Sequence, residues 1–412
     1  MSIRKNKTFQ SHLMTRRSMS IDESRIPPAV FLSHSEKKPP PCIGLGITSA
    51  TLLSAISSFS ASAYDITDKF SVDATITGVF QHGKFSDVGI DDASRGTVVT
   101  DVGINFNPTD QDEFEIVVSV ASGEALNAIS PFAAHPLYAD DLTDAIEDIN
   151  GRGRDYLLRA WYKHTFVLSQ NTSFGLAGGI IEATDYLDDN AFANDEVSQF
   201  MNDAFVNNTL MVPPSFDFGV GGTLDIGERW SLRGVWMSTK DTDRVNKPDK
   251  AYDYFGGQLG FHPQSTWGKG NYRLIAHGSS NDFSAPGGAR SERLFSLGLS
   301  LDQQLGDDFG AFARFFWQEN DAAIDHDTLY SGGVHISGKR WGRTSDEAGL
   351  GYAHLSGGNG NIQGTDIVEG YIKFGILAYT DLSLDLQYLD ERTKGNNDPR
   401  GFVYGVRVNA YF

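Results

Sequence analysis

Cysteine is all but missing from the 412 residues: Cys42 is the only one. It stands at the edge of a leader-like stretch. A chain freed of that stretch therefore offers no disulfide, no cysteine-bound zinc and no thiol nucleophile. Long apolar runs are missing as well. A membrane-spanning helix needs about 20 consecutive apolar residues, and apart from Ile43–Phe59, in the leader-like stretch, nothing approaches one. Basic charge is scarce, with 34 Lys and Arg against 53 Asp and Glu and a formal net charge of −19. That balance argues against nucleic acid as a partner.

Catalytic signatures are missing too. No glycine-rich phosphate loop leads from a strand into a helix, and Gly357-Gly358-Asn359-Gly360 has the make-up of a hairpin tip. Hydrolase chemistry would need a Ser beside a His base. His277, His335 and His354 fall on different segments with no consistent Ser partner. The nearest approach to a calcium loop, Asp148-Ile149-Asn150-Gly151, puts Ile146 and Leu157 where the first and last ligands belong. No catalytic residue, metal or cofactor is expected, and the chain is not expected to be an enzyme.

What the chain does have is glycine (44 residues), aromatics (12%) and a mean hydropathy of −0.29 with no hydrophobic excess. A transmembrane β-barrel looks like this because alternation hides its apolar face. The last twelve residues show the pattern openly. Phe402, Tyr404, Val406, Val408, Ala410 and Phe412 share one face of a strand, and Val403, Gly405, Arg407, Asn409 and Tyr411 share the other. A terminal aromatic after such alternation resembles the C-terminal signature of bacterial outer-membrane proteins. At the other end, a polar, basic stretch through Lys38 precedes the apolar run, and Ala61-Ser62-Ala63 has the small-x-small pattern of a leader-peptidase site. The expected organisation is an N-terminal extension and signal peptide over 1–63 and a barrel over 64–412.

Sixteen period-2 segments of roughly bilayer-crossing length can be drawn. They are Phe70–Phe80, Gly96–Phe106, Phe114–Ser122, Tyr156–Phe166, Thr172–Ile181, Ser215–Ile226, Trp230–Thr239 and Tyr252–Phe261, then Asn271–Ser279, Glu292–Leu301, Phe309–Gln318, Leu329–Ile336, Asp346–Leu355, Ile367–Ile376, Asp381–Leu389 and Phe402–Phe412. Even-numbered links such as Val167–Asn171, Gly227–Arg229 and Leu377–Thr380 are short, whereas the third (Gly123–Asp155) and fifth (Glu182–Pro214) each exceed thirty residues. An up-and-down outer-membrane barrel alternates short periplasmic turns with longer outside loops in this way. The expected fold is all-β: a 16-stranded antiparallel transmembrane barrel in the bacterial outer membrane.

Pleat geometry turns the alternate positions toward the lumen. The expected pore lining is Arg159, Trp161 and Lys163; Arg233; Arg273 with His277; Arg314 with Gln318; Glu369, Tyr371 and Lys373; Asp385 with Gln387; and Arg407, Asn409 and Tyr411. Guanidinium donors, carboxylate acceptors and aromatic faces suit a sugar's hydroxyls and ring face, and the same groups also suit a salt-bridge mesh that stiffens the wall. Within the long links the period changes to helical, through Leu142, Ala145, Ile146 and Ile149 and again through Val197, Phe200, Met201, Ala204 and Phe205. Short helices there would pack into the mouth or lie across the rim. The fifth link carries Glu182, Asp185, Asp188, Asp189, Asp195, Glu196 and Asp203 with no Lys or Arg. Such a block would offer acceptors to polyols or cations, or form a solvated acidic surface bridged to lipopolysaccharide by divalent ions.

Asp188-Asp189-Asn190-Ala191-Phe192-Ala193-Asn194-Asp195, followed by Gln199-Phe200-Met201-Asn202, resembles a segment of the OprB-type carbohydrate-selective porins. Gly338 to Asp346 with Arg343, Leu384-Asp385-Leu386-Gln387-Tyr388 and Gly405-Val406-Arg407 look similar too, and the likeness runs from about Arg154 to Phe412. The resemblance implies facilitated diffusion of sugars through a constriction lined by Arg, Glu and aromatic groups, with Asp188, Asn190, Phe192, Asn194 and Asp195 carrying over as the loop motif. Expected partners are mono- or oligosaccharides and outer-membrane lipid with lipopolysaccharide, the barrel standing alone or as a trimer. Two alternatives stay open: a porin for another solute, such as a siderophore, and an acidic structural or adhesion barrel plugged by its long links.

Overall fold

The computed structural model describes residues 64–86, 89, 91–132, 136–211, 213–239, 251–280, 283–288, 290–395 and 398–412. The leader and extension expected over 1–63 lie outside the described residues. Sixteen antiparallel strands form the wall. They are β1 (Phe70–Ser86), β2 (Ala93–Thr109), β3 (Asp112–Ser122), β4 (Leu157–Ser169), β5 (Thr172–Ile181), β6 (Asp217–Ile226), β7 (Trp230–Thr239) and β8 (Tyr252–Phe261). They continue with β9 (Gly268–Ser279), β10 (Phe295–Leu305), β11 (Phe309–Gln318), β12 (His326–Ser337), β13 (Glu347–Gly357), β14 (Ile362–Leu377), β15 (Thr380–Thr393) and β16 (Arg400–Tyr411).

Each strand pairs with its sequence neighbours, and β16 returns to β1 with Val406 opposite Phe80 and Arg407 opposite Val79. The closing seam runs to the last residue: the Phe412 N–H donates to the Ala74 carbonyl at 2.9 Å and the Ala74 N–H donates to the Phe412 carbonyl at 3.1 Å. Closure satisfies every strand's backbone without water, which hydrocarbon requires.

The strands outrun the expected boundaries where pairing continues past the apolar belt. On β1 the outward positions after Phe80 become His82 and Lys84, yet Lys84 still faces Phe402 across the seam. Four expected starts move inward, those at Tyr156, Ser215, Glu292 and Asp346, two of them for evident local reasons. Tyr156 sits at φ 65° with its N–H on the Ile146 carbonyl, so it closes the third link and β4 begins at Leu157. Glu292 pairs with Phe283 in a separate small hairpin above the wall, so β10 begins at Phe295.

The outward face is apolar, with Phe80, Val98, Leu232, Leu274, Leu299, Phe315, Leu350, Leu384 and Val406 exposed. The inward face divides into two halves. Toward the short turns it is polar: Ser71, Asp101, Glu115, Ser231, Gln258, Ser300, Asp302, Ser383 and Asn409 are buried there. Toward the long links it is apolar, with Ile181, Met237, Ile275, Phe316, Leu329, Leu355, Ile367, Leu389 and Val403 joined in one core with Leu126, Phe132 and Leu137 of the third link and Leu187, Phe192, Phe200 and Phe205 of the fifth. The lumen is thus not polar throughout, as simple alternation implies. Its outer half is a packed core completed by the links.

The helical patterns give single turns, α1 (Thr143–Ile146) and α2 (Asp203–Val206); α2 is buried throughout, whereas α1 buries only Ile146. Ile146 and Ile149 pack on Val117, Leu158 and Phe216. The second pattern does not extend back to Val197 because the wall carboxyl of Glu369, rather than the preceding turn, takes the Met201 and Asn202 N–H groups.

Leu299 is exposed at the middle of β10 and Ser300 beside it is buried inward. Leu299→Arg is expected to cost about 2–4 kcal/mol of folding free energy in lipid, against under about 1 kcal/mol for Leu299→Ile. Equilibrium denaturation in vesicles measures both.

Candidate functional site in the lumen

The fifth link gives the lumen its chemistry. It leaves β5 at Ile181, folds inward and returns to β6 at Asp217, and Asn202–Leu210 is wholly buried. A segment so deep must satisfy its own polar groups, and the wall supplies their partners.

Three wall arginines meet the Asp188-Asp189 pair. Arg314, on β11 and fully enclosed, donates from Nε to Asp188 Oδ2 at 2.9 Å and from Nη1 to the Phe205 carbonyl at 3.0 Å, and Nη2 also donates to the Ala193 carbonyl. Arg273 on β9 reaches Asp189 Oδ1 at 2.6 Å and Asp302 Oδ2 at 2.7 Å, while Arg233 on β7 reaches Asp189 Oδ2 at 2.7 Å. Enclosure raises the Asp189 carboxyl, and the pull of Arg233 and Arg273 overrides it, so the group is held well below the usual carboxylate range and stays ionised. Asp188 occupies the left-handed region at φ 61°, and its N–H donates to Gln258 Oε1 at 2.8 Å.

The rest of the motif is spent on local structure. The Asn190 amide donates to Ser300 Oγ at 3.3 Å and to the Leu301 carbonyl at 3.2 Å, while its Oδ1 accepts the Phe192 N–H at 3.1 Å. Asn194 Oδ1 accepts from the Asn207 amide at 2.7 Å, and Asp195 accepts the N–H groups of Val197 and Ser198. Phe192 stacks on His335 and rests over Gly310, where a Cβ would lie 2.2 Å from its ring. Other inward glycines serve the same way: Gly256 receives Leu187, Gly221 receives Tyr186, and Gly349 and Gly351 receive Phe200 and Phe205.

Farther round, Arg407 on β16 donates to the carbonyls of Glu196 and, at 3.0 Å, of Gln199, and to Ser383 Oγ at 3.1 Å. Gln387 on β15 ties both links together, donating to the Leu137 carbonyl at 2.9 Å and accepting from the Asn202 amide at 3.0 Å. Arg159 forms a separate cluster with Glu182 at 2.5 Å, Asp185 at 3.1 Å and Glu115 at 3.6 Å. Lys163 pairs with Glu113 at 3.2 Å, and Lys373 with Glu347 at 2.7 Å. Trp161 is half-buried at the edge of the main core.

All sixteen expected lining residues therefore face inward, but in different states. Arg159, Arg273, His277, Arg314, Gln318, Glu369, Tyr371, Lys373, Asp385, Gln387, Arg407, Asn409 and Tyr411 are buried, whereas Trp161, Lys163 and Arg233 keep partial exposure. The partly exposed wall groups lie on β3, β4 and β7, opposite Asp185, Tyr186 and Asp189 of the link. The acidic block is neither a solvated surface nor a free acceptor set, because most of its carboxylates are occupied by wall groups or by the link's own turns. The Asp148–Gly151 turn spends Asn150 on the Phe216 carbonyl at 3.1 Å, and no cluster of metal-binding residues occurs among the described residues. Gln258 and Asp302 are functional partners that sequence reasoning passed over. Parity places both inward, but nothing in a polar inward residue says that a link will meet it.

A closed 16-strand antiparallel barrel with an apolar outer belt and inward-folded long links is the architecture of outer-membrane porins. Pseudomonas putida OprB, in its high-pH structure, superimposes with a TM-score of 0.68 at 14% identity, covering 84% of this chain and 94% of that one. OmpF of Salmonella typhi, solved with daunomycin, gives 0.50 at 9% identity over 84% and 98%. These likenesses establish the fold. No family model matches the chain. In sequence it is 30% identical over 322 residues to an uncharacterized protein of Aquifex aeolicus, spanning 76% of this chain and 89% of that one, and the chain belongs to that protein's family.

Arg314→Ala removes the guanidinium that holds Asp188 and the Phe205 carbonyl in a dry site, a loss of about 3–5 kcal/mol in the anchoring of the link. Amide exchange across residues 186–206 is expected to accelerate while the barrel still migrates faster unheated than boiled, and Asp188→Asn is expected to restore part of the protection.

Proposed function

We propose that the protein is a passive outer-membrane channel for small hydrophilic solutes, of the carbohydrate-selective OprB type, with the fifth link setting the bore. The observation that carries this reading is the partly exposed inner wall at the short-turn end: Lys163 and Arg233 face Glu113, Asp185 and Asp189, with Trp161 and Tyr186 beside them. Mixed charge with aromatic faces favours neutral polyols over ions of either sign, through weak contacts that permit both entry and exit. Mono- or oligosaccharides are the proposed cargo. Outer-membrane lipid and lipopolysaccharide are the proposed surroundings of the belt, and nucleic acid is no partner. The leader over 1–63 would direct export.

A second reading is favoured by the complete burial of Asn202–Leu210: a barrel shut by its own links that serves as a structural or adhesion protein. Planar-bilayer recording separates the two. A channel gives steady openings that saccharides block more than a zwitterion of similar size does, and a shut barrel gives none. Replacing Arg159, Arg314 and Arg407 with Ala is expected to raise conductance and weaken sugar block, because each of these residues holds the link. Unchanged block would place the constriction elsewhere.

A further inference from the structure

Three neighbouring strands bring a serine, a histidine and an asparagine into one hydrogen-bonded line at the short-turn end of the lumen. Ser231 lies on β7, His262 follows the last residue of β8, and Asn271 lies on β9. Ser231 Oγ is 2.8 Å from His262 Nε2, and Asn271 Oδ1 is 2.8 Å from His262 Nδ1. Gly260 pairs with Ser231 on one side and with Arg273 on the other, which puts Ser231, Gly260 and Asn271 on the inward face. Gly260 also leaves the space in which the groups touch: a Cβ there would lie 2.3 Å from Ser231 Oγ and 2.8 Å from His262 Nε2. The histidine's backbone is fixed as well, its N–H donating to the Arg229 carbonyl at 2.8 Å. Sequence spacing gives no sign of the line, since 31 positions separate Ser231 from His262.

The network decides where each proton sits. Asp302 is buried, its Oδ2 takes Arg273, and its Oδ1 is 2.6 Å from Asn271 Nδ2. A carboxylate only accepts, so the Asn271 amide must turn its nitrogen to Asp302 and its oxygen to His262. Nδ1 of His262 then donates, Nε2 is left as the acceptor, and the Ser231 hydroxyl aims its proton at Nε2. A hydroxyl held against a base whose far nitrogen is fixed by a third group is the arrangement that activates a serine nucleophile. Two residues along the same face of β7, Arg233 spends Nη1 on Asp189 and keeps its Nε without an acceptor.

Backbone ladders already join β7, β8 and β9, so the three side chains are not needed to hold these strands together. His262 and Asn271 are half-buried and Ser231 is 3% exposed, which leaves the line open only toward the short-turn mouth. No apolar wall stands beside the hydroxyl: the residues paired with Ser231 are Asp225 and Gly260. A long acyl chain finds no cover there.

We propose that Ser231, His262 and Asn271 form an esterase site for short carboxylic esters of hydrophilic alcohols. Ser231 Oγ attacks the ester carbonyl as Nε2 of His262 takes its proton. The bond from the carbonyl carbon to the alcohol oxygen breaks, and Nε2 returns the proton to that oxygen. Water then attacks the acyl-serine through the same base, which releases the carboxylic acid and restores the hydroxyl. Asn271 holds the ring, and Arg233 supplies the positive charge for the oxyanion. The reaction consumes only ester and water, and it does not depend on whether the barrel conducts.

The intact detergent-solubilised barrel is treated with a fluorophosphonate probe and assayed separately with p-nitrophenyl acetate and p-nitrophenyl palmitate. The wild type is expected to take the label on Ser231, located by peptide mass, and to hydrolyse the acetate in preference to the palmitate. Ser231→Ala and His262→Gln are each expected to lose the label and to hydrolyse the acetate about 100-fold more slowly or worse. Heat-shifted migration checks that both variants are folded barrels. A wild type that takes no label on Ser231, or that hydrolyses the acetate no faster than Ser231→Ala, overturns the site.

Discussion

A sheet closed on itself in hydrocarbon satisfies its own backbone and leaves its inward side chains without lipid to cover them. Everything distinctive about this barrel follows from how that inner face is completed. Arg159, Arg273, Arg314 and Arg407 each expose 3% or less. A guanidinium so placed costs several kcal/mol unless acceptors surround it. The fifth link, acidic and without a single Lys or Arg, brings those acceptors as the carboxylates of Glu182, Asp185, Asp188 and Asp189 and as the carbonyls of Ala193, Glu196, Gln199 and Phe205. The cationic wall and the acidic link are two halves of one arrangement.

Shape completes what charge begins. The outer half of the inner wall is apolar, and it is dry because the aromatic and aliphatic side chains of both long links pack on it. Inward glycines allow that approach: Gly310, Gly349 and Gly351 leave room for rings that any larger residue would displace. The link therefore lies against the wall from β7 round to β16, and the hydrated groups remain at the short-turn end on β3, β4 and β7. How much of the lumen is filled is a matter of how that segment sits, more than of the barrel's width.

The wall was legible in the sequence. Period-2 alternation located all sixteen strands, and parity turned Arg159, Arg314 and Arg407 inward, because a strand's side-chain period is fixed by the pleat and the bilayer enforces one face. The starts of β4 and β10 were less so, since Tyr156 and Glu292 carry strand-like residues into positions claimed by a link turn and a separate hairpin. The inward fold of the fifth link was not legible. Seven acids with no base read as a solvated surface unless the arginines that meet them, 126 positions away for Asp188 and Arg314, are known to be close in space. The helical spacing from Val197 to Phe205 likewise marked the residues that pack together, but Glu369 captures the N–H groups that a continuous helix would have used.

The account stands on the fifth link lying inside the barrel, and cysteine accessibility tests that directly, because the chain has no cysteine beyond Cys42. Ala204 is fully enclosed within the lumen and Glu147 of the third link is exposed. In folded barrels reconstituted into vesicles, a water-soluble maleimide is expected to label Glu147→Cys promptly and to leave Ala204→Cys untouched until the protein is unfolded. Equal labelling of the two in the folded state would put the link outside the barrel and contradict the account.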